Sequence, residues 1–176
     1  MARHAGKVEM EFQEAVRARQ SVRVYADRMV EEAKLTAILE AANRAPSAGN
    51  FQAYEIYVVR GQAKRQALME STFDQKFVGQ APVSLVFCTH AGRCEYPSPE
   101  TWALEDATIA CTFAMLAATD LGLATCWVGA FSPDLATKVI GAPEGVTPMA
   151  ILPIGYAGET PERTSRRALR ELVHEG

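Results

Sequence analysis

From Ala107 to Ala118 the chain reads Ala-Thr-Ile-Ala-Cys-Thr-Phe-Ala-Met-Leu-Ala-Ala, small or apolar on every face of a helix. The longer run Leu104–Leu121 contains no glycine or proline, and Gly122 stands just past it as a C-terminal stop. The pattern predicts one helix over Leu104–Leu121, about 27 Å long. A helix that is apolar all round needs cover all round. Either the elements of a 176-residue chain enclose it, or a second copy completes the cover, with the small side chains allowing close approach. A bilayer is excluded as the cover, because Ala107–Thr119 is short of a membrane span and Asp120 ends it.

Composition fits a globular chain of one domain, taken here as residues 1–176: 48% of residues are hydrophobic and 22% charged. Eighteen basic residues against 21 acidic ones give a net charge of -3, which argues against a dedicated nucleic-acid binder. The opening Met-Ala-Arg-His-Ala-Gly-Lys has no apolar signal core, so the expectation is a soluble, cytoplasmic protein. Cys88, His90 and Cys94 form a C-x-H-x₃-C cluster with no obvious fourth ligand. Reduced and mostly buried cysteines are the better reading of the four at 88, 94, 111 and 126, and no metal is expected.

Helical spacing of apolar residues predicts a helix over Val8–Arg19 and another over Glu31–Arg44, which must end near Ala45 because Pro46 follows. Gln62–Ser71 reads as a polar-faced helix. Pro133–Ile140 reads as a short one, with Ser132 as its N-cap. Strands are predicted at Tyr54–Val59, Val83–Cys88, Ala124–Val128 and Pro148–Tyr156. The continuous apolar run Val83–Cys88 implies burial on both faces. Pro153 implies a bent or edge strand. A loop fills Ala91–Thr101, and a polar tail from Gly158 carries a last helix near Ala168–Val173. Helices alternating with strands around a sheet mark an α/β or α+β layered domain, and periodicity alone leaves the strand directions open.

The chain has no G-x-G-x-x-G turn, no P-loop and no G-x-S-x-G elbow. Three segments remain. In Arg19-Gln-Ser-Val-Arg23, extended backbone would project Arg19, Ser21 and Arg23 to one side, a donor set suited to a phosphate or a planar group with carbonyl oxygens; surface arginines at a helix exit are the alternative. In Ala45-Pro-Ser-Ala-Gly-Asn-Phe-Gln52, small residues allow close backbone approach, and the Asn50 and Gln52 amides both donate and accept; a plain connector is the alternative. Arg163, Arg166, Arg167 and Arg170 form either an anion site or a solvated tail.

Taken in order, Arg19-x-Ser21-x-Arg23-x-Tyr25, Ala45-Pro-Ser-Ala-Gly-Asn50-x-Gln52, Gly122-Leu-Ala-Thr-Cys-Trp127-Val-Gly129-Ala-Phe131 and Arg166-Arg-Ala-Leu-Arg-Glu-Leu-Val-His174 resemble the FMN-dependent nitroreductase family over nearly the whole chain. The resemblance implies an α+β homodimer with a mixed central β-sheet flanked by helices and a long buried interface helix. It implies FMN at the subunit interface, NAD(P)H as hydride donor, and a small nitroaromatic or quinone as acceptor. No protein nucleophile is called for. By motif position, Arg19 and Ser21 would face the FMN phosphate and ribityl side. Arg23 would sit near the pyrimidine edge, favouring the reduced anionic flavin. Pro46, Ser47 and Asn50 would come from the other subunit, and Gln52 would join the cofactor-binding residues. Gly129 would offer its N–H near flavin N5, and Arg166 with Arg167 would hold the phosphate. The chain departs from the family in having Gln52-Ala53-Tyr54 where Gln-Pro-Trp is common, and in its brief stretch between the second strand and the long helix, where the substrate lid often lies. Flavin fragmentation, reductive dehalogenation and non-catalytic anion binding are the other chemistries compatible with these residues.

Overall fold

The structure, a computed structural model, describes residues 11–176. Helices α1 (Phe12–Ala18), α2 (Glu32–Asn43), α3 (Gln62–Ser71), α4 (Lys76–Gln80), α5 (Pro99–Asp120) and α6 (Pro133–Ile140) surround strands β1 (Tyr54–Val59), β2 (Val83–Thr89), β3 (Ala124–Thr125) and β4 (Thr147–Gly155). Of the predicted first helix, Val8–Met10 lies outside the described residues. α6 follows its sequence signals closely. The Ser132 hydroxyl accepts from the Leu135 N–H (3.4 Å), Pro133 opens the helix, and Gly141 closes it at φ +67°.

The sheet order is β1-β2-β4-β3, and every named pair is antiparallel. The four-stranded sheet is therefore antiparallel rather than mixed, and among the described residues parallel pairing is confined to the isolated bridge Ser21–Thr125. β2 alternates between two cores. Val83, Leu85 and Phe87 meet α2 and α5 on one face, while Val86 and Cys88 meet the α3, α4 and α6 side on the other. That two-sided burial is what its unbroken apolar run requires.

Pro153 corrects the reading of β4, which is not an edge strand but lies between β2 and β3. Ile151 exchanges both backbone hydrogen bonds with Val128 (2.9 and 3.0 Å). Side alternates along a strand, so the Pro153 nitrogen faces the same way as Ile151's N–H, into the gap between Thr125 and Val128. No ladder donor is needed there, and the Pro153 carbonyl accepts from the Tyr25 hydroxyl (3.2 Å). The same gap explains why β3 is two residues long rather than spanning Ala124–Val128, with Val128 returning only as an isolated bridge.

α5 begins five residues earlier than Leu104, because Pro99 is pre-set for the first helical position and starts the helix rather than prolonging a loop. Ala103, Ala107, Ala110, Cys111, Ala114 and Ala118 are fully buried along one stripe, against the sheet and α2. Their small size lets the helix lie close to both. All-round burial is not reached within one chain: Leu104 is 50% and Phe113 39% exposed. The predicted tail helix over Ala168–Val173 is reduced to a 3-10 turn at Leu169–Glu171, with Leu169 and Val173 exposed.

A polar cluster ties the start of α2 to the ends of α5 and β4. Lys34 Nζ donates to the Leu121 carbonyl (2.7 Å) and to Tyr156 Oη (3.0 Å), and Tyr156 Oη donates to Glu31 (2.7 Å). The Arg28 guanidinium lies 3.7 Å from the Tyr156 ring centroid. The Tyr156 hydroxyl, followed by the Glu31 backbone amide and Arg28, holds the Glu31 carboxyl down from 4.5 to about 2. A depressed carboxylate pKa adds stability above the unfolded value, and this is lost as pH falls through the folded one. The Tm advantage of the wild type over Glu31→Gln is therefore expected to shrink between about pH 4.5 and 2. The effect is small because Glu31 is surface-exposed. A Tm difference that is flat across that range in thermal melts would contradict this role.

Candidate functional site

Residues 21–26 run extended beside β3 and the end of β4. Val22 N–H donates to the Thr125 carbonyl (3.0 Å), Ala26 N–H to Tyr156 (2.9 Å), and Gly158 N–H back to Val24 (2.8 Å). This pairing buries Val22 and turns its neighbours outward. Arg19, Ser21 and Arg23 then share an open cleft of about 460 Å³ with Arg17 and with Arg163 and Arg166 from the tail. Five arginines and one carboxylate, Glu162, are among its lining residues, so its potential is strongly positive. Arg166 is braced by Nη1 donating to Thr164 Oγ1 (2.7 Å) and to the carbonyls of Thr164 and Ser165 (3.2 and 3.1 Å). Arg167 is not brought into this cleft: its guanidinium donates to the Glu171 carbonyl instead.

Beneath the arginines lies the Cys126 thiol. Burial pushes its pKa up, against the opposing pull of Arg23, the Ser21 hydroxyl and Arg19. Burial likewise pushes the Cys88 thiol to about 12, with Glu55 adding to it. Neither is a nucleophile at neutral pH. Cys88, His90 and Cys94 do not form a ligand set. Cys88 is buried within the sheet, His90 Nδ1 lies 3.0 Å from Glu55 Oε1, and among the described residues no three His, Cys, Asp or Glu side chains are placed to share a metal.

The loop after α2 carries Pro46, Ser47, Asn50 and Gln52, none of which lines the arginine cleft of its own chain. It is a tight 3-10 turn at Ala48–Asn50 with three residues in the left-handed region: Gly49 (φ +54°), Asn50 (+58°) and Gln52 (+50°). A Cβ on Gly49 would fall 2.6 Å from the Phe51 ring, so the glycine is needed for space as well as for φ. The Ser47 hydroxyl accepts from the Gln52 N–H (3.1 Å), and the Gln52 amide donates to the Asn50 carbonyl (3.2 Å). Tyr96 packs edge-on against Phe51 and also contacts Trp102, forming an aromatic wall beside the loop.

Gly129 is exposed just after the Val128–Ile151 bridge. A Cβ there would meet only Trp127, at 3.6 Å, an ordinary contact. Nothing within the chain itself demands glycine at that position. A residue the motifs missed is Asp106, which is 1% exposed and accepts from the backbone N–H groups of Ala48 (2.8 Å) and Ala53 (3.1 Å). The signal that could have found it is its position, an acid in helical line with the buried Ala103 and Ala110 of α5.

The nitroreductase family model matches residues 16–90 and 66–156. The chain belongs to the nitroreductase family. A relative from Methanothermobacter thermautotrophicus, named "Putative NADH dehydrogenase/NAD(P)H nitroreductase", is 32% identical over 89% of this chain and 83% of its own. The "FMN reductase [NAD(P)H]" of Bacillus subtilis is 29% identical over 88% of this chain and 69% of its own. Among solved structures, B. megaterium NfrA2 superposes with a TM-score of 0.87 at 25% identity, covering 93% of this chain and 73% of that one. Nitroreductase-fold neighbours at such scores agree with the α+β architecture described above. Among the described residues no helix is long and apolar enough to cross a membrane.

Proposed function

We propose that this chain is an FMN-dependent oxidoreductase that works in the cytoplasm as a homodimer of single-domain subunits and moves hydride from NAD(P)H to a nitroaromatic, quinone or related small acceptor. The observation that carries the reading is the cleft where Arg19, Ser21, Arg23 and Arg166 converge. Guanidinium forks and a hydroxyl fit a dianionic phosphate and its neighbouring ribityl hydroxyls. The names of the family members above support the same cofactor and donor. When bound, FMN supplies the two-electron chemistry.

The protein's part is to bind, orient and polarise. Arg19, Ser21 and Arg166 hold the phosphate end. Arg23, on the same extended segment, stands by the pyrimidine edge, and Gly129 leaves room for the ring at its backbone N–H. Ser47, Asn50 and Gln52, with Pro46, come from the loop of a second copy. The second copy is supported by the outer face of α5, where Leu104 and Phe113 lie open, and by Phe12 (67% exposed) on the neighbouring α1.

The purified protein is expected to be yellow, to bleach anaerobically with NAD(P)H, and to recover colour with one class among nitroaromatics, quinones, halotyrosines and free flavins. A colourless protein that ignores added FMN would overturn the reading. Arg23 is expected to raise the flavin's reduction potential by favouring the anionic reduced form. FMN-loaded Arg23→Leu should therefore titrate at a lower midpoint potential than wild type. An unchanged potential removes that role.

A further inference from the structure

We infer that Asp106 is a positioning residue for the flavin: its carboxylate, sunk in α5, sets the shape of the Ser47–Ala53 loop that the FMN reading above places against the cofactor. The inference rests on that reading. Its two oxygens divide the work: Oδ1 accepts from Ala48 N–H at 2.8 Å and Oδ2 from Ala53 N–H at 3.1 Å. The loop is thereby pinned at both ends of the stretch that holds Gly49, Asn50 and Gln52 at positive φ. Left-handed backbone at non-glycine residues persists where the surroundings over-determine it, and such strain gathers at ligand clamps. A lone buried carboxylate inside an apolar helix is costly unless charge-assisted hydrogen bonds answer it. Here the partners are backbone groups of a loop whose exposed Asn50 amide and half-buried Ser47 and Gln52 are the groups offered to a ligand.

The test compares Asp106→Asn with wild type and with Leu68→Ala. Leu68 is fully buried in the core on the far side of the sheet from α5. Asparagine keeps the size but offers one acceptor, and it turns an NH₂ toward a backbone N–H. Asp106→Asn should bind FMN and riboflavin about tenfold or more weakly, by the same factor, because the phosphate grip lies elsewhere. At saturating FMN its visible circular dichroism and midpoint potential should differ from wild type. Leu68→Ala should leave the spectrum and potential of bound flavin unchanged, whatever it does to Tm. Should Asp106→Asn fail to fold, Asp106→Glu, which keeps the charge but shifts its reach, should show the same loss and the same spectral change. Wild-type affinity and spectrum in the variant that folds would overturn the inference, and so would identical changes in Leu68→Ala. Wild-type protein that binds no FMN would instead overturn the functional reading itself.

Discussion

Arg19→Ala is expected to weaken FMN binding by about 1.5–3 kcal/mol, the scale of a charge-assisted hydrogen bond to phosphate. Arg19 is half-buried at the exit of α1, where the chain leaves the helix and pairs with β3, so its guanidinium is carried on a fixed backbone rather than on a free surface. Across the same cleft stands Arg166, braced by Thr164. Removing one fork leaves a dianion facing fewer donors, and the loss should appear in FMN but largely vanish for riboflavin, which lacks the phosphate. Raising the salt concentration should narrow the gap between the two ligands, because the charge-dependent part is screened. Arg170→Ala serves as the control. It lies four residues past Arg166, in the exposed turn Leu169–Glu171, and does not line the cleft. Equal Kd values for wild type and Arg19→Ala in a flavin fluorescence titration would remove Arg19 from the phosphate site.

How far the sequence could be read follows from what each signal depends on. Val83–Cys88 was legible as a doubly buried strand because every residue in it had to be apolar or small, whatever covered it. α6 was legible from Ser132 and Pro133, since capping is local chemistry. Pro153 misled because its meaning depends on which neighbour its nitrogen faces, and here it faces the stretch between the Thr125 pairing and the Val128 bridge, far away in sequence. α4, five residues long, is too short to show a period. The motif residues Arg19, Ser21, Arg23 and Arg166 were legible as donors, and the fold brings them together. Arg167 was equally arginine in sequence, yet local pairing with Glu171 turns it away. Asp106 was hidden because its partners are backbone N–H groups, which carry no sequence signature.

The division of the candidate residues into two groups within one chain, the arginine cleft and the Pro46–Gln52 loop, leads to a sharper expected result. If each flavin site joins the cleft of one subunit to the loop of the other, Arg19→Ala chains and Asn50→Asp chains should each bind FMN poorly alone yet restore it when mixed. Asp at 50 replaces an amide that donates and accepts with a charge that only accepts. In a mixed two-fold dimer, one site carries both lesions and the other carries neither. Random re-pairing after mild dissociation makes about half of the dimers mixed, so about a quarter of all sites should regain wild-type affinity. The titration should be run at an FMN concentration that fills wild-type sites but neither single variant's. If cleft and loop of the same chain built the site, every site would keep one lesion and mixing would restore nothing. A monomer that binds FMN would refute the shared site just as directly, and it would leave Leu104 and Phe113 on the outer face of α5 without the cover that an apolar helix needs.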